Sequence, residues 1–203
     1  MRFLLKNKNL IFITGDGKKE ATSVVKFVCE QKSSILFIKG TPKGNDFLRI
    51  LTSDLLIIQD DESVKEERMR DFLHAVKKGV FVITRAQKKN RIKNLLLYFP
   101  REWMVVSDYS ISRKLKKRGK MMTFGINKKS ADFYITDIHQ KENETNFKVN
   151  YKDNIIPFWT RGKLKKKEVY AMLPALCLAR IMGLNLAEVS FKIKERLDTF
   201  TKT

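Results

Sequence analysis

The stretch LIFITGDGKKEATSVVKFVC, residues 10–29, constrains this chain more than any other. An apolar run over 10–13 meets a loop over 14–19 that carries two glycines and two lysines. Beyond the loop, Ala21, Val24, Val25 and Val28 recur on one face of a helix. Strand, glycine-lysine loop and helix, in that order, form the arrangement that holds a nucleotide phosphate. Backbone N–H groups at the helix start point at the anion, and lysine adds charge. The candidate binding residues are therefore Thr14, Gly15, Asp16, Gly17, Lys18, Lys19, Glu20 and Thr22.

The rest of the chain repeats the theme. Apolar runs at 34–38, 55–58, 80–84, 103–107 and 121–124 read as further strands. Between them, GTPKGND is a loop, and helical patterns cover 64–77, 88–98 and 111–118. Such alternation predicts an α/β fold with a mostly parallel, doubly wound sheet. Ligands of such sheets bind beyond the carboxyl ends of the strands, where both the glycine loop and the acidic stretch Gln59, Asp60, Asp61, Glu62 would lie. After Gly125 the pattern changes. Short alternating runs at 133–137, 147–151 and 155–159 predict a small antiparallel β excursion. Two C-terminal helices follow: Val169, Met172, Leu173, Leu176 and Ala179 mark the first, and Val189, Ile193 and Leu197 the second. The reading is a single domain over 1–203, with a parallel part (1–125), antiparallel strands (126–160) and C-terminal helices (161–203).

At 203 residues and 43% hydrophobic, the chain has enough apolar side chains for an ordinary core. No apolar run approaches the roughly 20 residues of a membrane span. The opening MRFLLKNKNL is too short in its apolar patch for a signal peptide, so the expected location is cytoplasmic. Cys29 and Cys177 sit inside apolar helical patterns and read as buried free thiols, and His74 and His139 have no ligand partners at metal spacing. Lys+Arg 42 against Asp+Glu 22 gives a net charge of +20. Either this is a compositional bias toward lysine, or it marks a surface for nucleic acid or another polyanion. The residues of such a surface would be Lys88, Lys89, Arg91, Lys93, Arg113, Lys114, Lys116, Lys117 and Arg118.

Five stretches together resemble the central ATP-binding domain of the Mur ligases, cytoplasmic enzymes that build the peptidoglycan peptide stem. ITGDGKKEAT stands where that family has its phosphate loop, and SDLLIIQDD where a strand delivers a metal-binding glutamate. GVFVIT, MMTFGINKKSADFYITDI and GKLKKKEVYAMLPALCLARIMGLNLAEVS resemble its next strand, its passage into antiparallel strands, and its late loop with a long Ala-rich helix. Within the family the resemblance is to the branch that joins D-alanyl-D-alanine to UDP-N-acetylmuramoyl-tripeptide. It spans nearly the whole chain but only one of the family's three domains. The resemblance implies ATP and magnesium as cofactors and ATP-dependent amide ligation as the parent activity.

The departures fall on the chemical positions. Without a gap, Lys19 takes the place of the phosphate lysine and Glu20 that of the magnesium-binding hydroxyl. With one deletion, Gly17 and Lys18 match the glycine and lysine, and Lys19 falls on the hydroxyl. Thr22 lies one helical step further in as a substitute, and Gln59 replaces the metal glutamate, leaving Asp60 or Asp61 to take over, with Asp60 the candidate metal ligand, unless the acidic stretch is only a solvated turn. No histidine follows Thr84, where Arg85, Ala86 and Gln87 stand, and Leu164 replaces the histidine of the late loop. No catalytic residue is assigned. The expectation is a degenerate domain, a pseudoenzyme or a partner subunit with weak nucleotide binding. An active ligase and a polyanion-binding scaffold are the alternatives.

Overall fold

Strand β1 (Asn9–Thr14) buries Leu10 and Phe12 on one side and Ile11 and Ile13 on the other. A strand apolar on both faces needs a helical layer above and below it, and the chain supplies both. In a computed structural model of the protein, residues 8–30, 33–85, 89–98, 100, 102–112 and 120–200 are described. The first layer holds α1 (Lys18–Cys29), α6 (Lys166–Ile181) and α7 (Leu186–Phe200). The second holds α2 (Phe47–Thr52), α3 (Glu66–His74) and α4 (Lys89–Tyr98).

Between these layers run β2 (Ile35–Lys39), β3 (Leu55–Gln59), β4 (Lys78–Ile83), β5 (Met104–Asp108) and β6 (Met121–Ile126). A four-residue helix, α5 (Tyr109–Ser112), follows β5. The sheet is completed by β7 (Phe133–Lys141), β8 (Glu144–Tyr151) and β9 (Asn154–Arg161), in the order β2-β3-β1-β4-β5-β6-β7-β8-β9. Because β1 has β3 on one side and β4 on the other, its carboxyl end opens into the crevice where the winding reverses.

The mostly parallel α/β architecture, the late antiparallel strands and the C-terminal helices agree with the sequence. Two features go beyond it. The loop GTPKGND ends in a 3-10 turn, Gly44–Asp46, and α2 follows it in a stretch to which the sequence reading assigned no element, being too short to show helical periodicity. The antiparallel part is continuous with the parallel sheet, and its first strand is shared: β7 pairs in parallel with β6 and antiparallel with β8. Only Phe124, Gly125 and Ile126 take part in the parallel pairing. The chain therefore steps back just three residues, which a short loop manages without a crossover helix. Asp132 secures that loop by accepting bonds from the Thr123 amide and hydroxyl, each at 2.7 Å.

Helix α1 buries the predicted Ala21, Val24, Val25 and Val28, each valine worth about 1.5–3 kcal/mol against exposure. Helix α6 is buried from Val169 to Ala179, including Pro174, as a helix enclosed on all sides must be. Cys29 and Cys177 are buried free thiols, and burial pushes Cys29 up to about 12. Among the described residues no helix is long and apolar enough to cross a membrane.

Candidate functional site

Gly15 and Gly17 shape the loop after β1, both with left-handed backbones, φ 106° and 75°. Gly15 is also pressed against the end of β4. A Cβ there would lie 2.6 Å from Thr84 Oγ1 and 2.8 Å from the Arg85 carbonyl oxygen. The Asp16 amide donates to that same carbonyl, so one N–H of the expected cradle is spent on fixing the loop. Gly17 caps α1 without a side-chain bond, and the helix opens at Lys18. The helix start thus falls between Gly17 and Lys18, the pair that the one-deletion alignment matches to the glycine and lysine. The amides of Lys18, Lys19 and Glu20, in the first turn, have no acceptor within their own helix. They stand at a cavity of about 250 Å³ bounded by the loop, Asp60, Glu62 and Arg91.

Each of three carboxylates at this cavity is held by a cation of the protein. Asp60, just beyond β3, is 1% exposed and faces Arg91 of α4. Arg91 Nη2 donates to Asp60 Oδ1 at 2.8 Å and Nε to Oδ2 at 3.2 Å, while the Thr14 hydroxyl donates to Oδ2 at 2.7 Å. The guanidinium also donates to the carbonyls of Val64 and Asp61, both at 3.2 Å. Its bond to Asp60 raises the Arg91 pKa against the opposing effect of burial. Glu62 Oε1 accepts from Lys18 Nζ at 3.2 Å. Glu20 Oε1 accepts from Lys167 Nζ at 2.6 Å, and this bond holds the Glu20 carboxyl below its ordinary range. The Glu20 charge, which would repel a phosphate at a helix N-terminus, is thus met by the first turn of α6.

A wider cavity of about 630 Å³ lies on the other side of Glu20, toward the ends of β5 and β6. Asp108 closes β5 there, accepting from Ser110 through its amide at 2.8 Å and its hydroxyl, and from the Tyr170 hydroxyl. Burial, reinforced by Asp108, pushes the Tyr170 hydroxyl well above its usual value. Arg85 lies 6.0 Å from the Tyr170 ring centroid, and Lys128, Lys166 and Lys167 complete a cationic rim. The sequence reading missed Arg91 as a site residue, along with Arg85, Asp108, Lys167 and Tyr170. Asp108 carried a faint signal, a carboxylate directly after an apolar strand run.

The expected site residues therefore separate. Thr14, Gly15, Asp16, Gly17, Lys18, Lys19, Glu20 and Asp60 all bound the smaller cavity. Thr22 does not, since its hydroxyl donates to the Lys18 carbonyl inside α1 at 2.6 Å. Arg91, counted above among surface cations, is instead mostly buried against Asp60. Lys89 and Lys93 belong to α4, while Lys88, Arg113, Lys114, Lys116, Lys117 and Arg118 lie outside the described residues, as do Ala86 and Gln87.

Magnesium requires several hard oxygen ligands in octahedral geometry, and the residues present do not fit it. Glu20 or Lys19, according to the alignment, replaces the hydroxyl residue, Thr22 is turned inward, Gln59 is buried and uncharged, and Asp60 is engaged by Arg91 and Thr14. Among the described residues, no group of three or more His, Cys, Asp or Glu side chains could hold a metal ion. Leu164, in place of the late-loop histidine, is a core residue at 1% exposure; its amide donates to Thr145 Oγ1 at 2.9 Å.

No protein-family model matches the chain, and no curated protein matches it. Solved structures do match it. MurF ligase from Thermotoga maritima in complex with ADP superposes with a TM-score of 0.74 at 14% identity, covering 95% of this chain and 50% of that one. MurF from Acinetobacter baumannii gives 0.71 at 12% identity, over 95% and 47%. A pseudomurein peptide ligase type C from Methanothermus fervidus gives 0.65 at 14%, over 98% and 50%. The chain spans about half the length of these solved structures. At such identities the likeness is one of fold, the fold seen in Mur ligases.

Proposed function

We propose that this chain is a nucleotide-phosphate-binding domain of Mur-ligase type, of the MurF kind, that has kept the phosphate cradle and lost the ligation chemistry. The observation that carries the reading is the Gly15–Gly17 turn. Its two left-handed glycines deliver Lys18, Lys19 and the first amides of α1 to one cavity. The ADP held by the Thermotoga maritima neighbour supports a nucleotide as the ligand. Loss of ligation is supported by the positions themselves. Acyl-phosphate chemistry needs metal ions and donors placed to neutralise a transferring phosphoryl group. Here those positions hold Glu20 or Lys19, Gln59 and a core leucine, Leu164.

A domain of this kind acts as a pseudoenzyme or as a partner subunit within peptidoglycan precursor synthesis. Calorimetry and thermal shift with ATP, paired with an assay for ADP formation, test the reading. Saturable binding without turnover is expected. No heat and no shift at millimolar ATP would overturn nucleotide binding, and steady ADP production would overturn the pseudoenzyme.

A further inference from the structure

We infer that the cavity over the Gly15–Lys19 loop recognises its phosphate ligand as the metal-free polyanion. Three of the four carboxylates that line it, those of Glu20, Asp60 and Glu62, are each already held by a cation of this chain. The inference rests on the nucleotide reading above and specifies the form of the ligand.

Arg91 on Asp60 is the fixed part of this arrangement. Its fork, at 2.8 and 3.2 Å, leaves Asp60 accepting three hydrogen bonds in all, with Thr14 the third donor. The guanidinium also donates to two backbone carbonyls, those of Val64 and Asp61. For a cation to use Asp60, a mostly buried arginine would have to leave a buried carboxylate. Such displacement is unfavourable, because it strips the guanidinium of both hydrogen bonds to Asp60 while its own charge stays near the incoming ion.

Lys18 on Glu62 is the mobile part. At 3.2 Å, with Glu62 half-exposed, this pair is of the weak surface kind and exchanges one anion for another easily. An arriving phosphate competes with Glu62 for Lys18, while the α1 amides meet it directly and Lys19 adds its charge from the cavity edge. Glu20 remains tied to Lys167 at 2.6 Å and does not turn toward a metal. Asp16, the remaining acidic residue at the cavity, is exposed, and a magnesium ion there would take the rest of its shell from water and phosphate, held by one solvated carboxylate. Lysine ammonium groups attract ATP most strongly when its own charge is not offset by magnesium. The magnesium dependence of binding therefore has the opposite sign to that of a metal-dependent ligase.

The test is calorimetric titration of the whole protein with ATP, once in excess EDTA and once in excess magnesium. Binding in EDTA as tight as with magnesium, or tighter, is expected. Binding that appears only with magnesium overturns the inference and leaves the nucleotide reading standing. Absence of binding in both buffers overturns the two together. The variant Glu62→Gln adds a second readout. Removing the competitor for Lys18 should tighten ATP binding in EDTA severalfold. A loss of affinity confined to the magnesium buffer would identify Glu62 as a metal ligand and overturn the inference. Manganese titration followed by electron paramagnetic resonance gives a third, with no tight site expected in the wild-type protein. A tight manganese site would be contrary to the inference.

Discussion

Arg91 Nη2 lies 2.8 Å from Asp60 Oδ1, and the same carboxylate accepts the Thr14 hydroxyl at 2.7 Å, so one ion pair ties α4, the end of β3 and the end of β1 together. Those three segments frame the mouth of the glycine loop. The pair is therefore architectural as well as electrostatic.

Replacing Arg91 by alanine leaves Asp60 buried and without its cation. Breaking one side of a buried pair costs about 3–5 kcal/mol, and the accompanying loss of contacts to Val64 and Asp61 adds to it. Denaturant unfolding of Arg91→Ala should show a large fall in midpoint. An unchanged midpoint would mean that Asp60 finds water or another donor, and that the clamp is dispensable.

The two loop glycines should respond differently to the same change. Both have positive φ, so alanine at either position carries the left-handed cost of about 1–2 kcal/mol. At Gly17 nothing lies within 4 Å of the added methyl, so the cost should stop there. At Gly15 the methyl would meet Thr84 Oγ1 and two carbonyl oxygens, at 2.6 to 2.8 Å, and backbone must move. Gly15→Ala is expected to be the more destabilising of the two in thermal unfolding and to displace the loop. Equal losses would contradict the close approach.

The sheet was legible because strand and helix periods alternate cleanly, and the loop because Gly15, Gly17, Lys18 and Lys19 fall at a strand-to-helix junction. What was not legible depended on partners distant in sequence. Arg91 looked like one cation in a basic run, and nothing local marks it as the partner of Asp60, 31 positions away. Lys167 was hidden in the same way, within a lysine triplet, although its partner Glu20 was singled out. Tyr170 fell inside an apolar helix pattern, which conceals a hydroxyl that bonds Asp108. Pairing direction is equally silent in the sequence. The alternation of β7 suits either orientation, and the three-residue register with β6 decides it.

The Glu20–Lys167 pair makes a pH prediction. Glu20 has a depressed folded pKa, so the pair contributes stability above the ordinary carboxylate value of 4.5 and loses it as pH falls through the lower folded value. Both side chains are partly solvated, so the contribution is modest. The wild-type Tm should fall on acidification, and Glu20→Gln should remove part of that fall while lowering Tm slightly at neutral pH. Superimposable acid limbs for the two proteins would place the acid sensitivity elsewhere.

The last prediction concerns which lysine meets phosphate. An ungapped alignment gives that role to Lys19, but α1 opens at Lys18 directly after the left-handed Gly17, and Lys18 reaches across the cavity mouth to Glu62. A side chain that spans the cavity is placed to follow an anion into it. Lys19, also at the cavity but exposed, contributes mainly to the field. Lys18→Ala should therefore lower ATP affinity about tenfold, or about 1.4 kcal/mol, with less than about 1 kcal/mol lost in folding stability because only a surface pair is removed. Lys19→Ala should lower affinity by a smaller factor that shrinks further as salt is added, the signature of a screened charge without a fixed contact. If Lys19→Ala proves the more damaging, and salt leaves its effect unchanged, the phosphate sits one residue further along the helix, and the register read from Gly17 is wrong.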